Sequence, residues 1–245
     1  MPPIEPIAAA AAVFLAAGLV KGVIGLGLPT LSMALLALWM APVEAAALLI
    51  VPSFITNVWQ LRPWSALGPV WQRVGGLQIG IAAGTVIGVA LFGVPAASRG
   101  SHALLGAALL AYGAWGLVGR PVQVPAQHER WLGPTVGVLT GAVTALTGVF
   151  VVPAVPYLQA LGLHREALVR AMGLSFTTAT LALAVGLAGN GGAMASALPL
   201  SIAMLLPALL GMTLGQWLRE RLPLVAFRRC FFGGLGLLGI YMLAA

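Results

Sequence analysis

Residues 7–40 read IAAAAAVFLAAGLVKGVIGLGLPTLSMALLALWM, an apolar segment that glycines and a proline interrupt near its middle. A membrane-spanning helix needs about 20 mostly apolar residues, and glycine and proline favour a break in such a helix. The pattern predicts a first helix over Ile7–Val20, a glycine-rich break, and a short helix over Thr30–Met40. At about 1.5 Å per residue, the short helix would span about 16 Å, roughly half of a hydrocarbon core. It therefore either re-enters the membrane or forms half of a broken crossing.

The composition of the whole chain is that of a protein embedded in lipid. Of its 245 residues, 60% are hydrophobic and 7% are charged, whereas about a quarter are charged in a soluble domain. The net charge of +7 fits the basic cytoplasmic loops of inner-membrane proteins better than nucleic-acid binding. The single cysteine, Cys230, excludes a disulfide within the chain, and no Cys or His spacing indicates a metal site or a cofactor. We expect one integral membrane domain that contacts the lipid bilayer.

The second half of the chain repeats the motifs of the first half in the same order. Residues 44–56 and 166–178 both begin with Glu-Ala and carry Ser-Phe-x-Thr at the same later positions. Pro29 follows a glycine-rich segment, and Pro153 follows a weaker one. Self-similarity in a fixed order predicts a duplication.

The predicted halves are residues 1–125 and 126–245. Each is expected to contain a first helix, a break and a short helix, followed by three longer helices. In the first half these elements are Ile7–Val20, Thr30–Met40, Val43–Gln60, Gln72–Val94 and His102–Val118; in the second half they are Trp131–Gly141, Val151–Leu161, Glu166–Leu187, Ala195–Trp217 and Phe227–Ala244. The predicted fold is therefore an all-α polytopic membrane protein with about 8–10 membrane segments.

The number of crossings in each half decides how the halves are related. If the first and short helices form one broken crossing, each half crosses four times and the halves are parallel; if the pair enters and returns, the halves are inverted. Basic residues gather on the cytoplasmic side, and in the inverted arrangement ten of the twelve Lys and Arg residues share one side: Arg62, Arg73, Arg120, Arg130, Arg165, Arg170, Arg219, Arg221, Arg228 and Arg229. Arg99 lies opposite, and Lys21 stays in the break. We predict inverted repeats with both termini on the non-cytoplasmic side.

Four segments carry a family resemblance: residues 22–29, 42–45, 137–153 and 166–167. Glycine-rich breaks ending in proline, each followed by a helix that starts with Glu-Ala, resemble the sulfite exporter TauE/SafE family, also called DUF81 or TSUP, over essentially the whole chain. The resemblance implies transport of small sulfur-containing anions, such as sulfite and sulfonates, and of related carboxylates across a bacterial-type inner membrane. The second break departs from the family pattern, because it reads AVTALTGVF where the family commonly has a glycine run. The identity of the anion therefore stays open.

Candidate substrate-binding residues lie in the two breaks and on the helices that follow them. The N-terminus of a short helix offers free backbone N–H groups and a positive dipole end to an anion, and Lys21, the only lysine, would place a charge at membrane depth. The predicted site lies between the breaks near the bilayer midplane. Its residues are Lys21, Gly22, Gly25, Gly27, Pro29, Ser53, Thr56, Asn57, Thr144, Thr147, Gly148, Ser175 and Thr178.

Each of these residues also has a structural interpretation. Lys21 could snorkel to the far interface, the glycines could allow close helix packing, and the hydroxyls could bond back to the carbonyl four residues earlier. Glu44 and Glu166 start corresponding helices, where capping is favoured and proton coupling or gating is the second interpretation. Arg170 follows Glu166 by four residues, so it is expected either to pair with it or to face a cytoplasmic vestibule.

A transporter is the favoured function, because duplicated broken helices recur in transporters and the loops leave no room for a receptor or catalytic domain. A passive anion channel and a transporter of small carboxylates are alternatives. A membrane-embedded enzyme would need paired acids, metal ligands or a nucleophile with its base, yet the chain has no Asp and its three His are predicted in loops. We assign no catalytic residue, and a homo-oligomer is compatible with the sequence.

Overall fold

The architecture is helical throughout the part of the chain that a computed structural model describes, which is residues 4–93, 99–119, 123–189 and 192–244. A 3-10 turn at Trp64–Ala66 leads into α4. The helices are α1 (Ile4–Ile24), α2 (Leu28–Leu36), α3 (Pro42–Gln60), α4 (Leu67–Phe92), α5 (Arg99–Val118), α6 (Ala126–Thr147), α7 (Ala154–Ala160), α8 (Arg165–Gly189), α9 (Ala193–Arg219) and α10 (Leu224–Ala244). The predicted all-α polytopic membrane fold is confirmed.

Seven of the described helices are long and apolar enough to cross a membrane: α1, α3, α4, α5, α8, α9 and α10. The 22 residues of α6 have the length, but this helix carries charged residues in its first turns and four threonines further along. The short helices α2 and α7 have 9 and 7 residues, so they reach only about 14 Å and 10 Å. His102 and His128 lie in the first turns of α5 and α6, so the prediction of loop positions was wrong for both.

Both breaks are shorter than the sequence predicts. The helix α1 continues through Lys21 and Gly22 to Ile24, and α6 continues through Thr144 to Thr147. These four site residues were predicted in or beside the breaks, and they lie in helices instead. Glycine permits a break in a helix but does not force one, and Gly22 lies within α1 where it packs closely on a neighbouring helix. The breaks themselves are residues 25–27 and 148–153.

Glycine contacts hold α1 against α9. A Cβ atom at Gly18 would lie 2.2 Å from the backbone oxygen of Ala208, and one at Gly22 would lie 2.2 Å from that of Met212. Such distances are possible only because the two backbones touch directly, which small residues permit within a membrane. From the first contact to the second, the residue number increases by four on both helices, so α1 and α9 run side by side in the same direction.

The packing of α6 against α4 repeats that of α1 against α9. A Cβ atom at Gly18 would meet the oxygen of Ala208 and the nitrogen of the residue four positions later. A Cβ atom at Gly141 would meet the oxygen of Ile81, at 2.5 Å, and the nitrogen of Thr85, at 2.4 Å. The first helix of each predicted half therefore packs on the fourth helix of the other half. The duplication and its division at residue 125 stay predictions, and this reciprocal packing supports them.

Helix directions divide the bundle into two sets. Gln78 on α4 bonds to Ser175 on α8, and Val89 lies beside Gly186 further along the same two helices, so α4 and α8 run the same way. Helices joined by short links run antiparallel. It follows that α1, α3, α5 and α9 run in one direction, whereas α4, α6, α8 and α10 run in the other. Every long helix thus runs opposite to its predicted counterpart in the other half.

The basic residues gather at one end of the bundle, where α3, α5 and α9 finish and α4, α6, α8 and α10 begin. This basic end carries Arg62, Arg73, Arg130, Arg165, Arg170, Arg219, Arg221, Arg228 and Arg229. The helix α5 begins with Arg99 at the opposite end, and Arg120 lies outside the described residues. Arg73 donates to Glu129 at 2.6 Å and 2.9 Å and to the carbonyl of Leu161 at 2.7 Å, which ties the starts of α4 and α6 to the end of α7.

A proline inside α3 is accommodated by a serine from α9. Pro52 has no N–H, so the carbonyl of Leu48 loses its normal helical partner. The Ser201 hydroxyl donates to this carbonyl at 2.7 Å and accepts from the Val51 N–H at 3.2 Å. An unpaired backbone carbonyl is costly in lipid, so this contact stabilises both the irregular α3 and its position on α9.

Candidate functional site

A vestibule of about 650 Å³ opens at the basic end of the bundle. Its walls are the last turns of α1, α3 and α9, the first turns of α8 and α10, and the first break. Because parts of both predicted halves surround it, the cavity depends on the assembly of the whole bundle.

The charged side chains lining this vestibule are all basic. Four arginines, Arg62, Arg165, Arg219 and Arg228, line it, and Lys21 lies among the lining residues near the end of α1. No Asp or Glu lines it in the part of the chain that the structure describes. A cleft with one sign of charge raises the local concentration of ions of the opposite sign. The positive charge of the vestibule therefore attracts anions.

Lys21 is the buried charge of the site, because its exposed fraction is 2%. Its Nζ donates to Thr56 Oγ1 at 3.1 Å and also to Asn57 Oδ1, both on α3. The geometry excludes snorkelling to the far interface, since the ammonium group points to α3 inside the protein. An ammonium group has three protons, and these two bonds leave one for a ligand.

The first break is shaped by two glycines. Gly25 and Gly27 have φ angles of 81° and 111°, a region that residues with a Cβ atom rarely adopt. Gln60 on α3 donates from Nε2 to the carbonyl of Gly25 at 2.6 Å. Gly27 precedes the first turn of α2, where Pro29 is accommodated without loss of a helical bond. Gly22, by contrast, serves the packing of α1 on α9, so its predicted place in the break was wrong.

The polar side chains of α3 form a second layer behind Lys21. Thr56 Oγ1 accepts from Lys21 and donates to the carbonyl of Pro52 at 2.6 Å. The Oγ of Ser53 and the Nδ2 of Asn57 are buried without a hydrogen-bond partner among the described residues. Buried polar atoms in proteins are normally paired. These two groups therefore have unused hydrogen-bonding capacity on the helix that holds Lys21.

The second break does not join this site. Thr144 and Thr147 lie inside α6 and donate to the carbonyls four residues earlier, each at 2.7 Å. Gly148 has a φ angle of 71° and ends α6, and a Cβ atom there would lie 3.1 Å from the side chain of Met33 on α2. These three residues were predicted to face the first break across a common site, but none of them lines the vestibule.

The second break is instead closed by apolar packing. Val149, Phe150 and Val151 have exposed fractions of 0%, 1% and 0%. The ring of Phe150 lies 5.5 Å from that of Phe176 on α8, measured between centroids. A hydrated anion cannot enter such a contact without moving it apart.

The serine and threonine of α8 also differ from their counterparts on α3. Ser175 accepts from Gln78 Nε2 at 2.9 Å, so its hydroxyl oxygen is engaged with α4. Thr178 is half-buried and lies away from the vestibule. Of the predicted set, Lys21, Gly22 and Gly25 line the vestibule, and Thr56 and Asn57 bond to Lys21 without lining it. None of the second-half members lines it.

The predicted coupling or gating residues lie outside the vestibule. Glu44 is exposed in the first turn of α3, at the end opposite to the vestibule, and no side-chain cap stabilises that N-terminus. Glu166 is exposed at the start of α8, 4.0 Å from His164. Arg170 was expected to pair with Glu166 or to face the vestibule; its Nε is buried without a hydrogen-bond partner among the described residues, and it does not line the cavity.

The chain matches a known protein family. The sequence profile described as sulfite exporter TauE/SafE matches residues 10–242, nearly the whole chain. The chain belongs to the sulfite exporter TauE/SafE family. Neither the curated proteins nor the solved structures gave a match. This TauE/SafE protein is thus a member of a membrane transporter family, which agrees with its long apolar helices and its anion-attracting vestibule.

Two kinds of residue in the TauE/SafE site were missed from the sequence. Gln60 is a neutral polar residue within an apolar helix, a position that is costly in lipid and therefore a signal of function. The four vestibule arginines were used only to decide topology, because the convergence of five helix ends cannot be seen in a single sequence.

Proposed function

We propose that this protein carries a small anion, sulfite or an organosulfur anion, across a bacterial-type inner membrane. The observation that carries the proposal is the vestibule: four arginines line it, and the buried Lys21 lies among the lining residues beside the first break. The arginines attract the anion, and Lys21 with the free donors of Asn57 and Ser53 binds it. A buried lysine with an unused proton favours anions over neutral solutes, since nothing in the described vestibule compensates its charge.

Alternating access is the proposed mechanism. The vestibule opens at the basic end, whereas Val149, Phe150 and Val151 are packed shut around the second break. The opposite directions of corresponding helices support an inverted repeat, in which the two halves exchange conformations to open the other end. The second break would then open as the first closes. A permanently open channel would need a continuous polar path, and the packing at Phe150 argues against it.

Both termini are proposed to lie outside the cytoplasm, because the positive-inside rule assigns the basic end to the cytoplasm. A reporter enzyme that is active only in the cytoplasm is expected to stay silent when fused after Ala245. The same reporter fused after Arg221, between α9 and α10, should be active and serves as the control. Strong activity of the C-terminal fusion would refute this orientation.

Uptake into proteoliposomes tests the transport function directly. Labelled sulfite, thiosulfate, sulfoacetate and a small carboxylate are supplied with and without a proton gradient, and protein-free liposomes are the control. We expect saturable uptake of at least one sulfur oxyanion. Absence of saturable uptake for every anion would refute the proposal, whereas non-saturable flux that follows the membrane potential alone would identify a channel.

A further inference from the structure

A buried hydrogen-bond acceptor lies in the anion site. Gln60 donates from Nε2 to the carbonyl of Gly25 at 2.6 Å. This bond fixes the orientation of the amide, because a carbonyl can only accept. The other amide atom, Oε1, is buried and has no hydrogen-bond partner among the described residues. An anion site that contained donors alone would need no such group.

The acceptor lies beside the donors that hold the anion. Asn57 and Gln60 are three residues apart on α3 and therefore share a face of the helix. Gly25, directly after α1, donates its N–H to the carbonyl of Lys21 at 2.8 Å, so these two residues also lie together, and cross-bonds join the two pairs. Because Asn57 Oδ1 accepts from Lys21, its free atom is the donor Nδ2. One face thus presents an ammonium group, an amide donor and an amide acceptor.

A buried acceptor discriminates strongly between ligands. A ligand with no donor for it leaves the acceptor unpaired, and the cost of that unpaired group lowers the affinity. A fully ionised oxyanion would turn lone pairs toward Gln60 Oε1 and be repelled. A methyl-capped anion would leave the acceptor unpaired. An anion that keeps one hydroxyl would satisfy it.

We propose that this site selects a monoanion that carries one hydroxyl group, with the charge bound by Lys21 and Asn57 and the hydroxyl donated to Gln60 Oε1. This selectivity rests on the proposed transport function, and it specifies in addition the protonation state of the transported anion. Gln60 is then a specificity-determining residue, and the ionised oxygens face the donors while the single O–H faces the acceptor.

The test compares hydrogen sulfite, HO–SO2−, with methanesulfinate, CH3–SO2−, in the same proteoliposomes, at a mildly acidic pH where hydrogen sulfite predominates. The two probes have the same charge and differ in carrying a hydroxyl or a methyl group. Both probes are measured at the same pH, so the basic residues of the site carry the same charge in both measurements: Lys21, Arg62, Arg165, Arg219 and Arg228. We expect the wild type to prefer hydrogen sulfite by about tenfold or more in kcat/KM.

Two variants separate specificity from structure. Gln60→Lys keeps a donor for the Gly25 carbonyl but has no acceptor, and Gln60→Met has neither. The proposal expects both variants to lose the preference for hydrogen sulfite over methanesulfinate, measured as the ratio of the two kcat/KM values. If Gln60 only holds Gly25, Gln60→Lys will keep the preference and Gln60→Met will slow both anions alike, which would overturn the inference. Equal transport of both probes by the wild type would also overturn it and leave the transport function intact, whereas saturable uptake of neither would refute the proposed function itself.

Discussion

Replacing Lys21 by methionine is expected to lower anion uptake by roughly 100-fold, because a charged hydrogen bond in a buried site contributes about 3 kcal/mol. Methionine fills a similar volume without a charge. Thr56 keeps its bond to the carbonyl of Pro52 in the variant, so the helix behind the site should stay intact. The measurement is the initial rate of labelled sulfite uptake into proteoliposomes, at equal amounts of inserted protein.

A matched control removes a different basic residue at the same end of the bundle. Arg130 is exposed in the first turns of α6 and does not line the vestibule. Arg130→Met is therefore expected to leave the uptake rate within about twofold of the wild type, since surface charges contribute little. Unchanged uptake by Lys21→Met would remove this residue from the mechanism.

Adding a single methyl group at Gly18 is expected to destabilise the protein by about 1–3 kcal/mol. The new Cβ atom would lie 2.2 Å from the backbone oxygen of Ala208, so α1 and α9 would have to separate. Gly141→Ala should have a similar effect, because its Cβ atom would meet the backbone of Thr85 at 2.4 Å. Both effects are measured as the temperature at which the detergent-solubilised protein loses its monodisperse peak in size-exclusion chromatography.

Gly234→Ala is the control for these two variants. Nothing lies within 4 Å of a Cβ atom at this exposed position on α10, and alanine favours the helix. Its stability should match or exceed that of the wild type. If Gly18→Ala were as stable as Gly234→Ala, close backbone contact could not be what holds α1 on α9.

The fold was predictable because its main signals are local. The 60% hydrophobic composition and the recurring apolar segments predict the long helices, and the repeated order of motifs predicts corresponding elements. The helix ends at the breaks were not predictable in this way. Gly22 looks like a helix breaker in the sequence, yet contact with Met212 keeps it helical, and that contact joins residues 190 positions apart along the chain.

The candidate site was predictable in part. Lys21, Gly25 and Asn57 were selected from their residue types and prove to be neighbours. The second-half residues were selected because they correspond to first-half residues. The side chains at the corresponding positions make different contacts. The Thr144 hydroxyl donates to a backbone carbonyl within α6, and the Ser175 hydroxyl oxygen accepts from the Gln78 amide. The bond of Thr144 to the carbonyl four residues earlier was one of the interpretations that its residue type allowed. The bond from Gln78 has no signal in a single sequence, because it depends on which helices pack together.

The two breaks share a backbone feature, since Gly25 and Gly148 each donate to the carbonyl four residues earlier at 2.8 Å. Those carbonyls belong to Lys21 and Thr144, so the same bend carries a cation in one half and a neutral hydroxyl in the other. In the proposed cycle, substitutions beside Lys21 would therefore change which anion is bound, and substitutions beside Thr144 would change how the path opens, largely independently of each other.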